Sequence, residues 1–248
     1  MSSAIYPSLS GKRVIVTGGA SGIGAALVGS FARQGAQVFF LDILEQEGRA
    51  LEASHSNACP PPIFHVCDLT DLTVLADTFS RIGPVDVLIN NAANDDRHAL
   101  EDVTAEYWDD RIAVNLRHLL FCAQAVVPGM KAKGGGVIIN FSSISWRLGL
   151  TGLLVYETAK AGIEGMTRAL ARELGPDDIR VTAIVPGNVR TPRQMRWYSP
   201  EQEAGIVDQQ CLRTRVEPEH VAALALFLAS DDACMCTGHE YWIDAGWG

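Results

Sequence analysis

The chain has 248 residues, 48% hydrophobic and 20% charged, with a formal net charge of −9. That length and composition suit one globular domain, residues 1–248, with a sizeable buried core. The acidic balance argues against nucleic acid or an anionic membrane as partner, because phosphate contacts need a basic surface, and no apolar run reaches the roughly 18 residues of a membrane helix.

The start, MSSAIYPSLSGKR, lacks the basic-then-apolar order of a secretory signal, so a cytoplasmic location is expected. RVIVT (13–17) reads as a first, buried strand. It runs into TGGASGIG, which places Gly18, Gly22 and Gly24 in the turn to a helix marked by Ile23, Leu27 and Phe31. Glycines there let the backbone approach a pyrophosphate, and the helix N-terminus favours its charge. QVFFLD (37–42) reads as the second strand, and Asp42 ends it 20 residues after Gly22. A carboxylate at that place accepts both ribose hydroxyls and repels a 2′-phosphate. Ser21 and Ile43 beside it add no positive charge, so the expected cofactor is NAD and not NADP.

CPPP (59–62) reads as a loop, and IFHVCD (63–68) as the third strand. Asp68 has two equal readings, an acceptor for the adenine amino group or the N-cap of the following helix. VDVLIN (85–90) is the fourth strand, and the chain turns polar at once in NNAANDDRHAL (90–100). GVIINFSS (136–143), IRVTAIVPG (179–187) and EYWID (240–244) complete seven strands. Helical periodicity lies between them, as in residues 156–174, where Ala159, Ile163, Met166, Leu170 and Leu174 share a face. The expectation is an α/β fold of Rossmann type: a doubly wound, mostly parallel seven-stranded sheet with helices on both faces and ligands at the strands' carboxyl ends. The six cysteines form no C-x-x-C pair, and the CMC at 234–236 lacks nearby His or Cys partners, so no metal site is expected.

Tyr156 and Lys160, four residues apart, share one side of a helix, and Ser143 lies 13 residues before the tyrosine. A nearby lysine would lower the phenol's pKa from about 10 and make it a usable base, with the serine hydroxyl holding the reacting oxygen.

On these residues the chain resembles the short-chain dehydrogenase/reductase family over nearly its full length. TGGASGIG matches the family's T-G-x-x-x-G-I-G turn, and Ser143, YETAK and PGNVRT (186–191) match its catalytic and nicotinamide segments. NNAA (90–93) stands where the family has N-N-A-G, so Ala93 departs from the pattern and bears on the backbone there. The resemblance implies that Asn115, inside YWDDRIAVNLRHLLF, holds a water in a proton relay and completes a tetrad; the plainer reading is a buried asparagine bonded to backbone. It also implies that Leu69, Asn90, Ala92, Pro186, Gly187, Val189 and Thr191 help to hold the cofactor.

Further stretches, NNAANDDRH, SISWRLGL and TGHEYWIDAGW, are similar to the members that oxidise an aldose, D-xylose foremost, at its anomeric carbon. That similarity suggests Asn91, Asn94, Ser145, Trp146, Arg147 and Asn188, with Ser143 and Tyr156, as the sugar-binding residues. Asp95, Asp96 and Arg97 stay open between sugar contacts, solvated groups and a subunit contact. It also suggests a homotetramer with the C-terminal AGWG near a neighbouring subunit. Two alternatives stand beside it: a dehydrogenase of a sugar acid or other secondary alcohol, with Arg190, Arg193, Arg196 and Arg147 clamping a carboxylate, and a non-catalytic dinucleotide sensor.

Overall fold

A computed structural model describes residues 4–196 and 198–247, so Gly248 of the AGWG terminus and Trp197 of the arginine-bearing stretch lie outside the described residues. Strands β1 (Arg13–Thr17), β2 (Gln37–Asp42), β3 (Ile63–Val66), β4 (Val87–Asn90), β5 (Gly136–Phe141), β6 (Ile179–Pro186) and β7 (Glu240–Ile243) form one sheet in the order β3-β2-β1-β4-β5-β6-β7. Every neighbouring pair is parallel, so the sheet is wholly parallel. The strand-forming runs end a residue or two inside their sequence estimates, because Asp68, Ser143 and Asp244 already belong to the loops beyond the ladder.

The helices are α1 (Gly22–Arg33), α2 (Glu45–Ser54), α3 (Leu72–Ile82), α4 (Ala105–Ile112), α5 (His118–Lys133), α6 (Ser145–Leu148), α7 (Leu154–Leu174), α8 (Pro200–Asp208) and α9 (Pro218–Ala229). Alternation along each strand supplies the two core layers. Val14 and Val16 of β1 and Val87 and Ile89 of β4 meet Leu27 and Phe31 of α1 and Val221 and Leu226 of α9. Their sequence neighbours Ile15 and Leu88 point the other way, to Phe79 of α3, Met130 of α5 and Leu174 of α7. Each large apolar side chain buried this way contributes about 1.5–3 kcal/mol. Between β1 and β4 the strand order reverses, and a crevice opens at the carboxyl ends there.

A π-helical turn, Ala113–Arg117, joins α4 to α5. The continuous helical stretch Ala105–Lys133 has an 18-residue window of mean hydropathy 1.2, enough by length and composition for a membrane span. Leu119, Cys122, Val126 and Met130 within it are buried in the protein core. That apolarity accounts for core packing, although the sequence shows no unbroken apolar run.

His118, the first residue of α5, is fully buried, and burial foremost, with the charge of Lys160 second, pushes its pKa from 6.5 down to about 3. Between those two values the unfolded chain binds a proton that the native protein does not, so stability falls as pH drops from about 6.5 towards 3. His118→Leu should flatten this dependence. Urea unfolding at neutral and acidic pH measures it, and an identical pH dependence in both proteins would contradict the assignment.

Candidate active site

The turn from β1 into α1 is shaped by steric necessity. Gly18 and Gly22 hold φ of 64° and 54°, a region costly for other residues. A Cβ on Gly18 would lie 2.7 Å from Cα of Ala92, and one on Gly24 only 1.9 Å from the carbonyl oxygen of Gly18. Ser21, the N-cap of α1, makes no side-chain bond to the helix, so the first-turn N–H groups stay open toward the crevice. Asp42 closes the other wall. Its Oδ2 accepts from the Ala20 amide at 2.9 Å and its Oδ1 from the Leu44 amide at 3.1 Å, tying β2 to the glycine turn. Ile43 beside it is 67% exposed, and among the described residues no lysine or arginine lines this end of the crevice.

The crevice encloses about 890 Å³. Gly18, Ser21, Gly22, Ile23, Gly24, Asp42, Ile43, Asp68 and Leu69 line one end, and Ala92, Pro186, Gly187, Val189 and Thr191 line the middle with Tyr156 and Lys160. Asn90 does not reach it. That residue is 1% exposed, and its Nδ2 donates to Asn140, whose own amide donates to Thr167, so it crosslinks β4, β5 and α7. Asp68 lines the crevice but caps no helix: its Oδ1 accepts from the Thr70 amide and hydroxyl, while Asp71 caps α3. The N-cap reading therefore fails by three residues, because α3 starts only after a further turn. Ala93 takes no positive φ, so its backbone accommodates a side chain where the family has glycine.

Ser143, Tyr156 and Lys160 meet in the crevice. Lys160 is 2% exposed, and its Nζ donates to the Phe141 carbonyl at 2.7 Å and stands 5.3 Å from the Tyr156 ring centre. Burial lowers the Lys160 pKa to about 7, while Asp95 opposes that shift. The surroundings of the phenol act against the expected acidification. Burial, then the charge of Asp95, raises the Tyr156 pKa above its usual range, and the Ser143 hydrogen bond and Arg193 only partly offset this. Proximity of a lysine does not outweigh desolvation when the ammonium is bonded elsewhere.

Asn115 sits in the π turn behind the site. Its Nδ2 donates to the carbonyls of Asn94 and Arg111, and its Oδ1 accepts from the Asn94 amide. All of these partners are backbone, and Asn115 is fully buried and does not line the crevice.

The crowded loop after β4 has a structural explanation. Asn91 donates to the carbonyls of Thr17 and Gly18, both at 3.0 Å, bracing the glycine turn and committing both its amide hydrogens. Asn94 accepts from the Asp96 amide and from Arg193. Asp95 is held by Arg193 at 2.9 Å and by Gln194 at 2.8 Å, Asp96 by Arg193 and Arg111, and Arg97 donates to the Thr151 carbonyl. These groups tie the loop to four separate segments, which is why so many gather at the end of one core strand.

Besides Asn91, three of the expected sugar contacts change role. Trp146 and Arg147 do not line the crevice. Trp146 Nε1 and Arg147 Nη2 donate to Glu164 at 2.9 and 2.7 Å, and the guanidinium lies over the Trp146 and Trp242 rings. Glu164 is 5% exposed and also accepts from Ser142, so it anchors the Ser143 loop against α7. A polar stripe of Lys160, Glu164 and Thr167 on the buried side of α7 was its sequence signal. Asn188 lines the crevice with both ends of its amide engaged, to Tyr198 and Arg215. Ser145 is 6% exposed and lines the crevice, and its hydroxyl has no hydrogen-bond partner among the described residues. Arg190 pairs with Glu203 and Glu217 and does not line the crevice, whereas Arg193, held by Asp95 and Asp96, and Arg196 do, so the trio does not converge as a set. Tyr198, Gln194 and Leu153, absent from the sequence-level set, also line this end.

Residues 18–248 match the family described as "Enoyl-(Acyl carrier protein) reductase". The chain is 69% identical over 247 residues to a D-xylose 1-dehydrogenase of Caulobacter vibrioides, covering 100% of both chains. It is 46% identical over 250 residues to a Rhizobium meliloti protein named "Probable galactose dehydrogenase GalD", covering 98% of each. A solved structure described as a short chain dehydrogenase/reductase family protein superposes with a TM-score of 0.87 at 32% identity, covering 96% of this chain and 98% of that one.

Proposed function

The chain belongs to the short-chain dehydrogenase/reductase family and is an oxidoreductase, and from that premise we propose that it is an NAD-dependent aldose 1-dehydrogenase acting on D-xylose. The observation that carries the reading is the meeting of Ser143, Tyr156 and Lys160 in a crevice whose other end is the glycine turn and Asp42. The residues fit the cofactor: a side chain on Gly22 would meet Thr191 at 3.2 Å, so the turn leaves room only for a backbone cradle, and Asp42 faces no compensating cation. Identity to the D-xylose and galactose enzymes supports the aldose.

When bound, NAD supplies the hydride acceptor and a positive charge that favours a phenolate beside it. Tyr156 takes the proton from the anomeric hydroxyl. Ser143 holds the same oxygen, so loss of that proton and of hydride from C1 leaves the carbonyl of the aldonolactone. Lys160 keeps two ammonium hydrogens beyond the one given to Phe141, for the cofactor ribose and the phenol. Asn115, its side chain committed to Asn94 and Arg111, contributes to a relay through the backbone it shapes. The Ser145 hydroxyl, without a partner among the described residues, and the Asn94 amide, which lines the crevice, are sugar contacts in this reading.

The sugar-acid alternative is weakened because Arg190 and Arg147 lie outside the crevice and Arg193 is neutralised by Asp95 and Asp96, and a sensor has no use for all four tetrad groups. The remaining features of the reading are a single domain, a cytoplasmic location and a homotetramer, the last supported by the exposed Trp108, Leu120 and Leu154; light scattering checks it. Following NADH formation over a panel of aldoses, aldonic acids and secondary alcohols tests the activity. Reduction of NAD by the acids alone would reject it.

Asn91→Ala separates brace from sugar reader. Losing the two turn bonds should weaken NADH binding by about 1–3 kcal/mol, with KM for sugar at saturating cofactor unchanged. Fluorescence titration and steady-state kinetics measure the two. An intact NADH affinity with a raised sugar KM would return Asn91 to the substrate site.

A further inference from the structure

One hydrogen-bond chain at the crevice has a fixed direction and runs through Tyr198, a residue outside the family motifs. Arg215, with a side chain only 9% exposed, is bonded to Glu203 of α8 and donates through Nη2 to Asn188 Oδ1 at 2.8 Å. A guanidinium has no acceptor, so the Asn188 amide can face it only with its oxygen. The amide nitrogen is then turned to Tyr198, and Nδ2 donates to the phenol oxygen at 2.9 Å. A donor already occupies that side of the phenol, so the phenolic hydrogen has no acceptor there. Tyr198 lines the crevice at the end that holds Ser143, Ser145 and Tyr156.

The geometry points to Tyr198 as a specificity-determining residue whose hydroxyl donates a hydrogen bond to one hydroxyl oxygen of the bound aldose, oriented by Glu203, Arg215 and Asn188. This rests on the aldose reading of the same crevice. The chain starts from a cation, the Arg215 guanidinium, which polarises the Asn188 amide and through it the phenol, strengthening its donation. Arg190, near Glu203 at 4.0 Å, keeps a second positive charge on the same carboxylate and so holds α8 to the segment bearing Asn188 and Tyr198. Asn188, expected to touch the sugar itself, instead serves as a positioning residue for Tyr198.

Tyr198→Phe keeps the ring and removes the donor. It should lower kcat/KM for D-xylose about 3- to 10-fold, mostly through KM, with NADH affinity unchanged. Among the monodeoxy analogues of D-xylose, one should show no further loss in the variant, because its matched oxygen is already absent. Asn188→Asp offers an acceptor to the phenolic hydrogen and draws it away from the crevice. It should reproduce the loss with the ring still in place, a result that a merely space-filling tyrosine would not give, and it decides the matter should Tyr198→Phe fail to bind NADH. Wild-type kinetics in both variants, or an equal loss on every analogue, overturns the assignment while leaving the aldose activity standing. A wild-type protein that binds NADH and oxidises no aldose overturns both.

Discussion

Tyr156→Phe should bind NADH as tightly as wild type and oxidise sugar roughly 10²–10⁴-fold more slowly, the usual contribution of a positioned general base. The phenol oxygen is the only part removed, and the ring still packs over Lys160. The pH dependence carries the sharper test. Burial and Asp95 raise the Tyr156 pKa, and burial lowers that of Lys160 to about 7. The positive charge of bound NAD would favour the phenolate. The acting base must be deprotonated, so kcat/KM should climb with pH and then level off. Ultraviolet difference spectra should show a phenolate at lower pH with NAD bound than without. Substantial turnover by Tyr156→Phe, or identical spectra in the two states, would remove the mechanism.

Asp42→Ala should weaken NAD binding by at least a factor of about 100, since two charge-assisted hydrogen bonds to ribose are worth about 1.5–3 kcal/mol each. NADP should lose less or gain, because the repelling carboxylate is gone. The structure adds a consequence that the ribose argument lacks. The same carboxylate accepts from the Ala20 and Leu44 amides, so the alanine variant also orphans two backbone donors and should melt at a lower temperature. Asp42→Asn separates the effects: it keeps acceptor oxygen for one amide and loses the charge. Calorimetric titration with both dinucleotides and thermal denaturation provide the measurements. A wild-type preference for NADP would reject this reading of β2.

The seven apolar runs, the glycine turn, the end of β2 at Asp42 and the spacing of Ser143, Tyr156 and Lys160 were legible because each is local. Strand burial follows from a contiguous run, a left-handed turn from a glycine, and a shared helix face from a four-residue step. The resemblance to a known family then joined these pieces into one crevice.

Partners of polar side chains were not legible. Asn91 is chemically able to bind a sugar hydroxyl or to brace a turn, and only the meeting of β4 with β1 decides for Thr17 and Gly18. Asp95 and Arg193 pair across 98 positions of sequence, and Arg147 reaches Glu164 from another element. Even the tyrosine's acidity depended on where the lysine's proton donors went and how much water the packing removed. From the sequence alone came the strands, their order along the chain, the glycine turn and the four-residue step from Tyr156 to Lys160, all set by short-range geometry and patterned burial. Tertiary structure alone decided which hydrogen-bonding groups face the crevice and which hold the protein together. A hydrogen bond depends on distance and direction to a partner that the fold, not sequence spacing, brings near.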